Sequence, residues 1–186
     1  MELYTKRLLL RPFREDDAEA VYQYSKGPQV GPNAGWKPHE SPAESADILR
    51  VVFLNQPSVW AVVRRSDERL IGSCGIIHDP KRENEAARML GYALGEEYWG
   101  QGYMTEAVQA VLNAGFYEMG LELISATCYP DNARSKNVLE KCGFQYEGTL
   151  HRAEKLYNGE IKDHLCFYLE KAAYETACHA VTAVVQ

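Results

Sequence analysis

The chain has no Cys-x-x-Cys pair and no Cys/His set at metal-ligand spacing, and its five cysteines, Cys74, Cys128, Cys142, Cys166 and Cys178, are odd in number and far apart. A disulfide framework and a metal centre are therefore not expected, and the cysteines read as reduced thiols. No run approaches the ~20 apolar residues of a membrane span. Met1 leads straight into Glu2, Lys6 and Arg7 without an apolar signal core, so a cytoplasmic address and no membrane partner are expected. Basic residues are also scarce: 20 Lys and Arg stand against 26 Asp and Glu, for a net charge of −6. The basic patch or stripe that a phosphate backbone calls for is missing, which argues against nucleic acid.

What is present is an ordinary soluble composition, 186 residues with 46% hydrophobic and 25% charged. A chain of this length should bury roughly 70% of its unfolded surface, so it can build a core without staples. One domain over residues 1–186 is expected, with its core in 5–170.

The hydrophobic periods alternate in type. Leu8 and Leu10 share one face of a strand from Thr5 to Arg11 that meets Pro12, and within Arg14-Glu15-Asp16-Asp17 the last three supply acidic groups to a helix continued by Ala18, Val21 and Tyr22. From Gly27 to Pro42 four prolines and the glycines Gly31 and Gly35 surround Trp36, which reads as a loop. Strands are expected at Val59–Arg64 and Leu70–Ile77, joined through Ser66-Asp67-Glu68, and again at Met89–Leu94. Then follow a helix at Thr105–Met119, a strand at Ile124–Tyr129, a helix at Asn132–Cys142, strands at Phe144–Leu150 and Ile161–Leu169, and a C-terminal helix at 172–184. This order predicts a mixed α/β fold.

The most informative stretch runs from Leu90 to Ala107: a strand, the loop Gly100-Gln101-Gly102, and a helix whose stripe of Met104, Val108, Val111, Leu112, Gly115 and Met119 marks it as packed. A helix N-terminus presents free N–H groups and the positive end of its dipole, and the two glycines let an anion approach the backbone. A Walker A loop needs Gly-Lys-Ser/Thr, which is missing, and a dinucleotide fingerprint needs a glycine where Thr105 stands. A strand-to-helix turn that merely uses glycine is the rival reading. A second segment bears on it: the strand ending at Pro130, the capping candidates Asp131 and Asn132, and a short helix stopped by Gly143-Phe144.

Together these two segments resemble the GNAT superfamily of N-acetyltransferases, which bind acetyl-CoA between two splayed parallel strands of a mostly antiparallel sheet. The opening Thr-x-Arg-Leu-x-Leu-Arg of residues 5–11 is similar to the branch that includes the ribosomal-protein alanine and serine N-acetyltransferases. The resemblance extends from Thr5 to about Leu169. It implies that Tyr92, Ala93 and Leu94 meet the pantetheine arm, that Gly100, Gln101, Gly102, Tyr103, Met104 and Thr105 hold the pyrophosphate, and that Asn132 contacts the pantetheine region. Glu97 stands where the superfamily loop usually begins with Gln or Arg.

Amine acetylation needs a neutral amine, a stabilised oxyanion and a proton for the departing thiolate. Many superfamily members are thought to draw that proton from a tyrosine on the second motif helix; here the position is Leu139. By resemblance to the branch, Ser135 becomes the candidate donor, and helix N-terminal polarity is its other reading. No carboxylate lies between Met89 and Leu94, where lysine-acetylating relatives tend to place one. Glu147, Asp163 and His164 on the later strands are the remaining candidates for a base, and Trp36 and Trp99 for pocket walls. Acceptor contacts are expected from the Trp36 loop and from Tyr157-Asn158-Gly159. The expectation is direct transfer to an amine, a protein or peptide α-amine in the first place, with no metal and with a homodimer left open. A small-molecule acetyltransferase acting on an antibiotic or polyamine, and a non-catalytic acyl-CoA sensor, are the alternatives.

Overall fold

In a computed structural model, which describes the backbone of residues 1–183 and the side chains of 1–177, eight strands form one sheet. They are β1 (Leu3–Tyr4), β2 (Leu8–Pro12), β3 (Val59–Arg64), β4 (Arg69–Ile77), β5 (Ala87–Leu94), β6 (Leu123–Cys128), β7 (Gln145–Lys155) and β8 (Ile161–Glu170). The helices are α1 (Ala18–Ser25), α2 (Pro42–Ile48), α3 (Tyr103–Asn113), α4 (Ala133–Lys141) and α5 (Lys171–Ala183). The expected end of the last helix at Val184 and the Cys178 side chain lie outside the described residues.

The sheet order is β1-β2-β3-β4-β5-β6-β8-β7, and β5 with β6 is its parallel pair. Period-two alternation divides the apolar side chains between its faces. One face carries Leu8, Leu10, Trp60, Ile71, Leu90, Ile124, Phe167 and Leu169, sealed by the apolar stripe of α3 and by Leu139 of α4. The other carries Ala61, Val63 and Leu70 under Val21 and Tyr24 of α1 and Leu49 after α2.

Several boundaries differ from expectation for local reasons. Residues Thr5 to Leu8 form a turn closed by the Thr5 N–H on the Leu8 carbonyl (3.0 Å), so the first long strand starts at Leu8. Pro42 opens α2 at its first turn, where a missing N–H costs nothing, with the Ser41 hydroxyl accepting from the Glu44 N–H. After Asn113, α3 widens into a π-type turn over Ala114–Glu118. The largest difference is β7, which runs on past Leu150 to Lys155 through the second of its two register shifts.

Candidate active site

Strands β5 and β6 pair only from Ala87/Leu123 to Leu90/Ala126. Beyond Leu90 they diverge, leaving the β6-facing edge of Gly91 to Leu94 without a strand partner. A cleft of about 440 Å³ opens there, lined by Gly91 to Leu94, by Thr127 to Tyr129, and by Gly100 and Gly102 to Thr105.

The α3 end of the cleft is built from backbone. Gly100 (φ +74°) and Gly102 (φ +79°) both adopt the left-handed conformation that a Cβ disfavours. The first helical bond runs from the Glu106 N–H to the Gly102 carbonyl, leaving the N–H groups of Tyr103, Met104 and Thr105 as the orphans of the first turn. Glu106 anchors this turn to the β1–β2 connection by accepting from the Thr5 hydroxyl (2.6 Å), the Arg7 N–H (2.8 Å) and Arg7 Nε (2.6 Å). Burial alone would raise the Glu106 carboxyl, but these three bonds hold it below the usual range. Arg7 also donates to the Gln101 carbonyl (2.9 Å). The Gln101 side chain turns to the Glu97 carbonyl, and Gln101 does not line the cleft.

On the α3–α4 side, Asn132 caps α4 by accepting from the Ser135 N–H (3.1 Å). The Ser135 hydroxyl lies 2.8 Å from the Tyr92 hydroxyl, which reaches across from β5. Burial pushes the Tyr92 phenol up, offset only in part by Ser135, so the phenol holds its proton. Leu139 is fully buried in the core, in keeping with the absence of a donor at that position. Cys128 borders the cleft and Cys142 lies near it; burial pushes their thiols up to about 11 and about 12, which makes thiolate scarce.

On the opposite face a second polar group closes the cleft. Glu154 Oε2 accepts from the Tyr129 hydroxyl (2.8 Å) and is 2.9 Å from His164 Nε2. The loop after α1 roofs this group: Asn33 and Ala34 line the cleft, the Asn33 carbonyl accepts from Asn132 Nδ2 (3.4 Å), and a Cβ on Gly35 would stand 2.7 Å from Glu154 Oε1.

Of the residues expected at the site, Tyr92, Ala93, Leu94, Gly100, Gly102, Tyr103, Met104, Thr105, Asn132, Ser135, Trp99 and His164 all line this cleft. Trp36 does not: its ring packs on His39 (5.0 Å between centroids) and on the α1–α2 side of the core. Glu147 pairs with Arg82 at the surface, and Asp163 binds His151 and the Arg152 N–H, so neither lines the cleft. Tyr157, Asn158 and Gly159 form a turn that does not line it. Glu154 was hidden because residues 151–155 are almost uniformly polar and read as loop. Alternation on β8 places Lys162, His164 and Cys166 on the face opposite Leu165 and Phe167, and that signal could have pointed to its neighbourhood.

The acetyltransferase (GNAT) domain family matches residues 7–145. The chain belongs to this family. The uncharacterised N-acetyltransferase p20 of Bacillus licheniformis is 32% identical over 176 residues, 92% of this chain and 97% of that protein. A GNAT-family acetyltransferase from Bacillus anthracis superposes with a TM-score of 0.82 at 27% identity, over 92% of this chain and 99% of that one. The ribosomal-protein-S5-alanine acetyltransferase of Vibrio fischeri does so with a TM-score of 0.72 at 25% identity, over 91% and 96%. The protein is thus an N-acetyltransferase, and the sensor alternative falls. Among the described residues no group of three or more His, Cys, Asp and Glu is placed to hold a metal ion, and no helix is long and apolar enough to cross a membrane.

Proposed function

We propose that this N-acetyltransferase moves the acetyl group of acetyl-CoA directly onto the α-amine of a protein or peptide. The observation that carries the reading is the opening beyond Leu90 and Ala126, with paired hydroxyls on one face of the sheet and a held carboxylate on the other.

In this reading the pyrophosphate lies on the orphan N–H groups of Tyr103 to Thr105, and the pantetheine amides pair with the free edge of Gly91 to Leu94 as a missing strand would. The thioester then lies at the splay. The amine enters under the Asn33–Gly35 roof, its nitrogen attacks the carbonyl carbon, and Glu154 accepts the proton it sheds. When the C–S bond breaks, its electron pair goes to sulfur and Ser135 supplies the thiol proton, with Tyr92 behind it. Acetyl-CoA is already activated, and the high thiol values of Cys128 and Cys142 support transfer without an acyl-enzyme.

The missing carboxylate on β5 does not by itself argue against lysine, because β7 brings Glu154 to the cleft. Two arguments favour the α-amine. With a pKa of about 7.7 it is roughly one-sixth neutral at pH 7, whereas an amine near 10.4 is neutral about once in two thousand, a difference of about 3.7 kcal/mol. The likeness to a ribosomal-protein-alanine acetyltransferase spans nine-tenths of the chain. Initial rates of CoA release should therefore be highest for short peptides with free N-termini, against N-capped lysine peptides and spermidine. A clear preference for either side-chain-type amine would overturn the acceptor and leave the acetyl-CoA site standing.

A further inference from the structure

Glu154 is held in an asymmetric way that its proposed role as base does not by itself require. Both of its hydrogen bonds to the sheet fall on one oxygen: Oε2 meets the Tyr129 hydroxyl at 2.8 Å and His164 Nε2 at 2.9 Å. The other oxygen, Oε1, is the one under Gly35.

The backbone goes out of its way to produce this. In β7 the register passes from Leu150↔His164 to Glu154↔Lys162, so two residues are inserted between the pairs. Arg152 takes a left-handed φ of +52° in that bulge, and its N–H is fixed by Asp163 Oδ1 at 2.7 Å. Bulges beside active sites re-aim side chains. Here the bulge moves Glu154 two residues along β7, to a place diagonal to His164.

We infer that His164 is a fixed hydrogen-bond donor that, with Tyr129, occupies Oε2 and leaves Oε1 as the oxygen that receives the proton of the acceptor amine. The inference rests on the reading of Glu154 as the base. A carboxylate has no proton to give, so the hydrogen in the His164–Glu154 bond belongs to Nε2. The other ring nitrogen, Nδ1, is buried and has no hydrogen-bond partner among the described residues. A relay must hand its proton onward, and Nδ1 meets no acceptor to hand it to. His164 therefore positions the carboxylate and does not carry the proton away. The charged group opposite Glu154 in the ladder, Lys162, lies over the Tyr129 ring and is engaged by Asp131 (2.8 Å) and Glu160 (2.9 Å).

The test compares His164→Leu, His164→Gln and Glu154→Gln, measuring kcat with saturating acetyl-CoA and the best amine of the panel, together with the Kd for CoA. Glutamine keeps an N–H donor near the Nε2 position but cannot act as an imidazole relay. His164→Leu should lower kcat about 10- to 150-fold, the size of one hydrogen bond to a charged group, with CoA affinity unchanged. His164→Gln should return to within about threefold of wild type, because the donor is restored. Glutamine as poor as leucine would overturn the donor role in favour of a relay, and wild-type turnover in His164→Leu would overturn it altogether. Should the leucine variant lose CoA binding, the glutamine variant decides by the same criterion. Full activity in Glu154→Gln would instead remove the base on which the inference stands; loss in Glu154→Gln beside a fully active His164→Leu would remove the positioning role alone.

Discussion

Gly100 and Gly120 make a matched pair for testing whether the glycine loop holds the cofactor. Both are left-handed, at φ +74° and +68°, and at neither does a Cβ meet a heavy atom within 4 Å. Alanine at either position therefore carries the same backbone cost, about 1 to 2 kcal/mol. For a chain of this size each kilocalorie lowers Tm by about 2 to 4 °C, so both variants should melt about 2 to 8 °C early. Their ligand binding should differ. Gly100 borders the cleft, whereas Gly120 follows α3 at its far end and is exposed. The open space at Gly100 is where a phosphate oxygen would approach the N–H groups of the loop, and a methyl group there pushes it away. One hydrogen bond to a charged group lost is about 1.5 to 3 kcal/mol, or about 10- to 150-fold in affinity. Isothermal titration with CoA should show that loss in Gly100→Ala and wild-type affinity in Gly120→Ala. Equal affinities in the two variants, whether both intact or both weakened, would refute the assignment of the pyrophosphate to this loop.

Two further outcomes follow from the same geometry. Ser135→Ala and Tyr92→Phe should each reduce turnover while leaving the Kd for CoA in place, by up to the ~10²- to 10⁴-fold typical of a general acid for Ser135 and less for Tyr92, which stands behind it; unchanged single-turnover rates in both would assign the proton to water. For Glu106, whose folded carboxyl is held below its unfolded value, the stabilisation is complete above the unfolded value and is lost as pH falls through the folded one. The Tm gap between wild type and Glu106→Gln should accordingly be widest near neutral pH and narrow below about pH 4, and a gap independent of pH would contradict the anchoring role.

The side of the cleft proposed for the cofactor was legible because it is local. Gly91 to Thr105 is one continuous strand, loop and helix start, and Asn132 to Ser135 is one helix cap, so spacing along the chain already approximates spacing in the fold. Leu8/Leu10 and the α3 stripe were legible for the same reason, each being a short-period pattern that ends up buried. Even here the letters missed the second hydroxyl, because Tyr92 was read as a strand contact and its reach to Ser135 depends on how α4 lies across β5.

The side proposed for the acceptor is assembled from single residues of separate segments, the roof at Asn33–Gly35, Tyr129 after β6, Glu154 on β7 and His164 on β8, and no stretch of sequence contains two of these segments side by side. What joins them is register. A strand read as ending at Leu150 puts Glu154 in a loop; the same residues paired through the Arg152 bulge put it beside His164. A slip of one residue turns a side chain to the other face, and a two-residue insertion moves it along the same face, so an error of register at β7 is an error about the proposed base. The tryptophan loop shows the converse: Trp36 drew attention as its large aromatic, yet the loop meets the site through the small residues Ala34 and Gly35 and the carbonyl of Asn33, while Trp36 packs inward and holds the loop to the core. Size marks what anchors a loop, and the surface left for an acceptor is what the anchor positions.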